Sequence, residues 1–310
     1  MKTAARINSY LRNENHDLSS VLQEFEKAGL SHVDLNYPEH TNGIAPAQMK
    51  EMLDKNHLEL NGTAVRFRSD FINGELGNAD PKIAQKALQL CKDACDYCRE
   101  AGGKVMTIWL GYDGFDYSFQ IDYQKVWNQL VNAYREICDY APDLNISIEY
   151  KPYQPRAYSF IDSMGQTGMM LSEVDRENLG VTLDYCHMLM KHENPAFAAD
   201  VFGSRGKLFG VHLNDGYGLN DDGLMIGTAT PFKTLEFMYY LKKHNYDGVI
   251  YFDTFPVIED AVKETERNIQ MLEQFDKMID KVGMDKIQSV IDRNDATEAA
   301  ALMLSFMKGE

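Results

Sequence analysis

The chain has 310 residues and a formal net charge of -16, from 31 basic and 47 acidic side chains, so it offers no basic face to a nucleic acid or an anionic membrane, and both are excluded as partners. No run of about 18 apolar residues is present, and the N-terminal MKTAARINSYLRNENHDL lacks the apolar core and cleavage site of a signal peptide; a cytoplasmic location is expected. Five cysteines, an odd number, argue against a disulfide framework.

Short β-branched or aromatic runs alternate with amphipathic stretches along the chain. The strand AARINSY is followed by a helical pattern over Leu18 to Ala28, and HVDLNY by one over Pro46 to Lys55. LELNGTAVRF precedes a helix over Pro81 to Glu100, and KVMTIWL precedes one over Tyr123 to Tyr140. NISIEYK, LGVTLDY and LFGVHLN come next, then a helix over Pro231 to His244 and the strand GVIYFDTF. Three helices open on proline, which suits the first helical position. Eight strands alternating with helices predict an α/β fold, the (β/α)8 TIM barrel, as one catalytic domain over residues 1–283. Glu259 to Val282 is the closing helix. Lys286 to Met307 is extra, giving a C-terminal helical extension over 284–310 that packs on the barrel or on a neighbouring subunit. No GxGxxG or GxxxxGK[ST] motif supports nucleotide binding. Cys91, Cys95 and Cys98 share one helical face and read as small core residues rather than iron–sulfur ligands.

A TIM barrel carries its active site at the C-terminal ends of its strands. Four successive strands end in metal-ligand chemistry. NISIEYKPYQP sets Glu149 and Lys151 on one face by the period of two. VTLDYCH brings Asp184 and His187, FGVHLNDG brings His212, Asn214 and Asp215, and YFDTFP brings Asp253. A carboxylate or imidazole within an apolar strand is costly unless paired or coordinated. Glu149, Asp184, His212 and Asp253 therefore converge as a hard, oxygen-rich site for one divalent metal ion, Mn2+ first, with Mg2+ or Co2+ as substitutes. Arg66 and Arg68 alternate in the third strand, and one of them is expected to reach the site as a substrate or carboxylate clamp. His187 reads either as a catalytic group or as a residue orienting Asp184. Asp215, before Gly216, reads as a turn residue.

These strand ends resemble the xylose isomerase-like superfamily. The resemblance rests on Glu149-x-Lys151-Pro152 with Pro155, on Asp184 with His187, on KLFGVHLN with His212, on Tyr251-Phe252-Asp253 with Pro256, and on Trp109-Leu110-Gly111-Tyr112-Asp113-Gly114. It implies that Lys151 and Trp109 contact a sugar, with Asn36, Arg66 and Phe255 completing the substrate site. It also implies deprotonation beside a sugar carbonyl through an enediolate, with Glu149, His187 and Asp253 as candidate bases and Lys151 as enolate stabiliser. Two-metal members use an acid pair after the seventh strand. Here that loop reads Asn220-Asp221-Asp222-Gly223-Leu224, so a single ion is expected. The second strand carries no ring-opening histidine, and His40 is displaced from that position. The closest resemblance is to the catalytic subunits of bacterial C-glycoside deglycosidases. Those are carbon–carbon lyases on 3-oxo-glucosides that pair with a small β-rich partner subunit. The alternative is a single-metal sugar isomerase or 3-epimerase. Either reading implies a sugar or glycoside substrate and a homo- or hetero-oligomer. A nuclease of the apurinic-site type shares the barrel, but it requires several metals and a basic groove, and the charge counts against it.

Overall fold

The computed structural model describes residues 1–12 and 16–309. Eight strands form one parallel sheet: β1 (Lys2–Ala5), β2 (His32–Tyr37), β3 (Glu59–Val65), β4 (Val105–Ile108), β5 (Asn145–Glu149), β6 (Leu179–Asp184), β7 (Leu208–Leu213) and β8 (Val249–Phe252). Their order, β1-β8-β7-β6-β5-β4-β3-β2, runs round a barrel. β1 ladders onto β8 from Lys2 opposite Val249 to Ala5 opposite Phe252. The remaining seam, between β1 and β2, is stitched by Ser31. Its N–H donates to Thr3 O, and its hydroxyl accepts from Thr3 N–H, each at 3.1 Å. The chain is thus an α/β TIM barrel, as the alternation predicts.

The outer helices are α1 (Leu18–Ala28), α2 (Pro46–Lys55), α3 (Pro81–Glu100), α4 (Tyr123–Tyr140), α5 (Met164–Val174), α6 (Pro195–Gly203), α7 (Pro231–Lys243) and α8 (Ala261–Val282). α1 illustrates how sequence sets their limits. Asp17 accepts from Ser20 N–H at 2.8 Å, Ser20 Oγ accepts from Asp17 N–H at 2.9 Å, and this reciprocal cap starts the helix. Val21, Leu22, Phe25 and Ala28 form the buried stripe, and Gly29, at φ 86°, ends it. Proline opens α2, α3 and α7. Cys91, Cys95 and Cys98 are buried on the inner face of α3. No described helix is long and apolar enough to cross a membrane.

Two expectations change in detail. The run AARINSY is a strand only as far as Ala5, and Ile7–Tyr10 coil into a helical turn. The turn is held by Ser9 Oγ donating to Thr254 O at 3.1 Å and by Tyr10 OH donating to Thr265 Oγ1 at 2.7 Å. These tertiary bonds outweigh the β propensity of the run. The C-terminal extension is two helices, α9 (Met284–Ile291) and α10 (Ala296–Lys308). They break where Asn294 turns to φ 50° and Asp295 caps Thr297 N–H at 2.8 Å. Ile287, Val290 and Phe306 face inward, and Gln288 accepts from Tyr239 OH at 2.9 Å. Glu310 of the expected extension, and 13–15 of the N-terminal stretch, lie outside the described residues.

Candidate active site

The sheet register brings the polar strand ends to one level. Thr182 lies opposite Glu149, Asp184 opposite His212, and His212 opposite Tyr251. Below them Thr107, Ser147 and Thr182 form a buried hydroxyl floor, with Ser147 Oγ 2.6 Å from Thr182 Oγ1. Above it, Glu149, Asp184, His212 and Asp253 each offer a ligand atom, all within 4.8 Å of one another. His212 Nδ1 is 3.3 Å from Glu149 Oε1 without being aligned for a hydrogen bond. His212 Nδ1 and Asp253 Oδ1 are both buried and have no hydrogen-bond partner. Orphaned buried polar atoms of this kind are costly. Burial pushes the Asp184 carboxyl up to about 7 and raises that of Asp253, and neighbouring acids reinforce both shifts. The group fits a divalent cation, which would take the lone pairs that no donor takes and neutralise the crowded charge.

Surrounding groups hold these side chains in orientation. Asp184 caps the turn Tyr185–Met190 by accepting from His187 N–H at 3.0 Å. The fully buried Asn214 donates to both Asp184 oxygens, at 3.4 and 3.3 Å, and to Asp253 O at 3.2 Å. Its own carbonyl accepts from Cys186 N–H at 2.8 Å. The His187 ring stands behind the ligand set. Nδ1 donates to Tyr150 O at 2.9 Å, because a carbonyl can only accept, and Nε2 faces Asp221 Oδ2 at 3.3 Å. Lys151 is buried rather than a surface residue, and its ammonium pairs with the same Asp221 oxygen at 2.8 Å. Asp222 turns away to accept from Tyr217 N–H at 2.7 Å. Only one acid of the loop therefore joins the cluster.

The walls of the site are aromatic. Lys151 Nζ lies 5.4 Å and the Arg66 guanidinium 5.9 Å from the Trp109 ring, while Arg6 lies 4.7 Å over Phe255. Phe255 packs on Gly223, whose φ of +57° and absent side chain both matter, since a Cβ there would sit 2.3 Å from the ring. Asn36 is buried and accepts from Arg66 Nε at 2.9 Å. Arg66 faces the site, whereas Arg68 is exposed and pairs with Glu39. His40 has both ring nitrogens engaged. Nδ1 accepts from Asn36 N–H at 3.0 Å, and Nε2 meets Asn8 Oδ1 at 2.6 Å.

Sequence reasoning missed three contributions. Arg6 comes from the end of β1, its Nε 3.6 Å from Asp253 Oδ1, and a charged residue directly after an apolar strand was the available signal. Asp215 is more than a turn residue. Fully buried, it accepts from the N–H groups of Gly216, Ala229 and Thr230 and from the Thr230 hydroxyl, all at 2.8–2.9 Å. D215A strands those buried donors and is expected to cost about 2–3 kcal/mol of stability. Equilibrium urea unfolding measures this, and an unchanged midpoint would refute it.

The third is Glu75, fully buried in the loop after β3. It accepts from Tyr112 N–H with both oxygens, at 2.8 and 3.0 Å. Asp113 accepts in return from Glu75 N–H at 2.9 Å and Gly77 N–H at 2.8 Å. The clamp ties this loop to the segment bearing Trp109. Burial, with the Asp113 charge beside it, pushes Glu75 up to about 9, and burial pushes Asp113 up to about 6. The folded state therefore keeps a proton that the unfolded chain releases near 4.5, so stability falls as pH rises from there toward 9. E75Q carries a neutral group of the same shape. Its melting temperature is expected to decline less than the wild type's between about pH 5 and pH 9, and an identical slope would count against a shared proton.

Comparison with known proteins agrees with this fold. The family described as Xylose isomerase-like TIM barrel matches residues 22–275. Xylose isomerase of Thermus thermophilus is 25% identical over 214 residues, 66% of this chain. The match spans 55% of that enzyme, so this chain corresponds to about half the length of its curated relative. Among solved structures, D-allulose 3-epimerase from Methylomonas sp. superposes with a TM-score of 0.70 at 19% identity, over 83% of this chain and 91% of that one. The 3-keto-D-glucoside 4-epimerase of E. coli superposes with a TM-score of 0.65 at 14% identity, over 87% and 98%. At such identities the superpositions establish the fold.

Proposed function

We propose, from the premise that this chain belongs to the Xylose isomerase-like TIM barrel family, that it is a single-metal sugar isomerase or epimerase moving a proton at the carbon beside a carbonyl. The observation that carries this reading is the convergence of Glu149, Asp184, His212 and Asp253, with His212 Nδ1 and Asp253 Oδ1 buried and unpartnered. These four would hold the ion, Mn2+ by the hardness of the donor set, with Mg2+ or Co2+ able to replace it. Bound there, a divalent ion supplies Lewis acidity toward a ketone and the adjacent hydroxyl. One ion is favoured over two because the Lys151 ammonium already lies against Asp221.

The chain's own residues do the rest. Glu149 ends β5 and Asp253 follows β8, strands separated in the barrel by β6 and β7. Their carboxylates stand on two sides of the mouth, one to take the proton and the other to return it, at about 10²–10⁴-fold each. Lys151 donates toward the developing enediolate oxygen. His187 holds Asp221, which holds Lys151, so His187 acts as a positioning residue. Trp109 and Phe255 wall the sugar, with Asn36 fixing Arg66.

The locked His40 favours a substrate that already presents its carbonyl, since neither ring nitrogen is free to open a cyclic aldose. That observation also supports the finer reading, a lyase on 3-oxo-C-glucosides working with a small β-rich partner subunit. Both chemistries begin with the same deprotonation. Incubation with Mn2+ in D2O, with ketohexoses, aldoses and a 3-oxo-C-glucoside, separates them. Deuterium at the carbon beside the carbonyl of a free sugar supports the isomerase or epimerase. Aglycone release supports the lyase. No exchange in any substrate refutes the deprotonation chemistry.

A further inference from the structure

Arg6 and Arg66 lie against the aromatic walls of the site. Elsewhere Arg68, Arg99, Arg156, Arg176 and Arg293 each pair with a carboxylate, and Arg12, Arg135, Arg205 and Arg267 donate to carbonyl or amide oxygens. The Arg66 side chain, half-buried at the mouth, spends one donor on Asn36 and leans on Trp109. Among the described residues no carboxylate lies within 4 Å of it, and its hydrogen bond to Asn36 uses Nε, leaving the two terminal nitrogens for a ligand. Arg6, which follows β1, lies over Phe255, with β2 standing between its strand and that of Arg66. Its Nε is buried without a hydrogen bond, and among the described residues the carboxylate within 4 Å of it is the candidate ligand Asp253, at 3.6 Å. Both guanidiniums bear on the same His40, whose imidazole burial and these two charges hold down to about 4. A guanidinium has five donors in a planar fork that matches a carboxylate. Leaving most of them idle in a partly desolvated site is costly unless a ligand takes them.

We infer that the substrate is a sugar acid, its carboxylate clamped between Arg66 and Arg6 while its carbonyl faces the acid–histidine cluster. This rests on the isomerase or epimerase reading above and names the substrate class of that site. A phosphate does not fit as well. TIM barrels bind phosphate at the loops after the seventh and eighth strands, on helix N-termini. Here the Ala229 and Thr230 N–H groups at the start of α7 are filled by Asp215, and the start of α8 is capped by Asp260. The chain's own carboxylates occupy the donors a phosphate would need.

Calorimetric titration of the Mn2+-supplied protein tests this. The probes are D-fructose, D-tagatose and D-allulose, each beside its 6-carboxylate and its 6-phosphate. At least one 6-carboxylate is expected to bind about 10- to 100-fold more tightly than its neutral parent and more tightly than its phosphate. R66Q is expected to erase that preference. The clamp is overturned if no acid outbinds its parent, if a phosphate binds best, or if R66Q keeps the preference. Deuterium exchange on the same panel reads the parent proposal separately. Exchange without acid preference removes the clamp alone, whereas tight acid binding without any exchange removes the isomerase or epimerase reading.

Discussion

D184A and H212A are each expected to purify without bound divalent metal and to lose activity by about a thousandfold or more. The basis is the crowding of the cluster. Asp184 is fully buried, accepts from His187 N–H and Asn214, and shares its space with Glu149, Asp253 and Asp221. Removing its carboxylate removes a ligand and also relieves the repulsion that a cation would relieve. The two effects separate in a thermal experiment. At a metal concentration of about 100 Kd, binding stabilises the native state by about 2.7 kcal/mol, which for a chain of this length raises Tm by about 4 °C. The wild type is expected to show that rise with Mn2+ and to lose it with a chelator, while D184A responds to neither. Elemental analysis is the direct check. Metal at wild-type stoichiometry in both variants would sink the ligand assignment.

K151M is expected to destabilise the protein by about 3 kcal/mol, the low end for breaking a buried ion pair. Lys151 and Asp221 have side chains only 9% and 12% exposed, and their contact is 2.8 Å. Without the ammonium, Asp221 keeps His187 Nε2 at 3.3 Å as a remaining partner, which holds the loss to that end of the range. The double variant K151M/D221L replaces the pair with apolar groups and is expected to recover most of the stability but none of the activity, as the role proposed for Lys151 at the enediolate oxygen requires. Urea unfolding of the two variants reads the first effect. If K151M alone were as stable as the wild type, the pair would hold nothing together.

The barrel was legible in the sequence because its signals are local. Eight apolar runs of strand length, proline at the first turn of three helices, and polar residues closing four successive runs are patterns within short windows. The strand-end residues could be placed at one mouth because a barrel aligns its strand ends, and period two decides which side chains turn inward. The order of Glu149, Asp184, His212 and Asp253 along the chain thus became an arrangement in space without any contact being known.

What only the tertiary structure decided involves partners distant in sequence. Asp221 lies in a loop whose acid pair resembled a decayed metal site. Folding turns Asp222 out to Tyr217 and Asp221 in, to Lys151, 70 residues away. Asp215 looked like the first residue of a turn and is instead the plug of the α7 N-terminus. Arg6 was hidden in a run read as strand throughout, because the bonds of Ser9 and Tyr10 to residues 254 and 265 that coil the chain after Ala5 form only once β8 and α8 are in place. A sequence window sees hydrophobic period and turn chemistry. It cannot see which buried donor a carboxylate will meet, and at this barrel mouth those meetings determine which charges are satisfied and which are left facing a ligand.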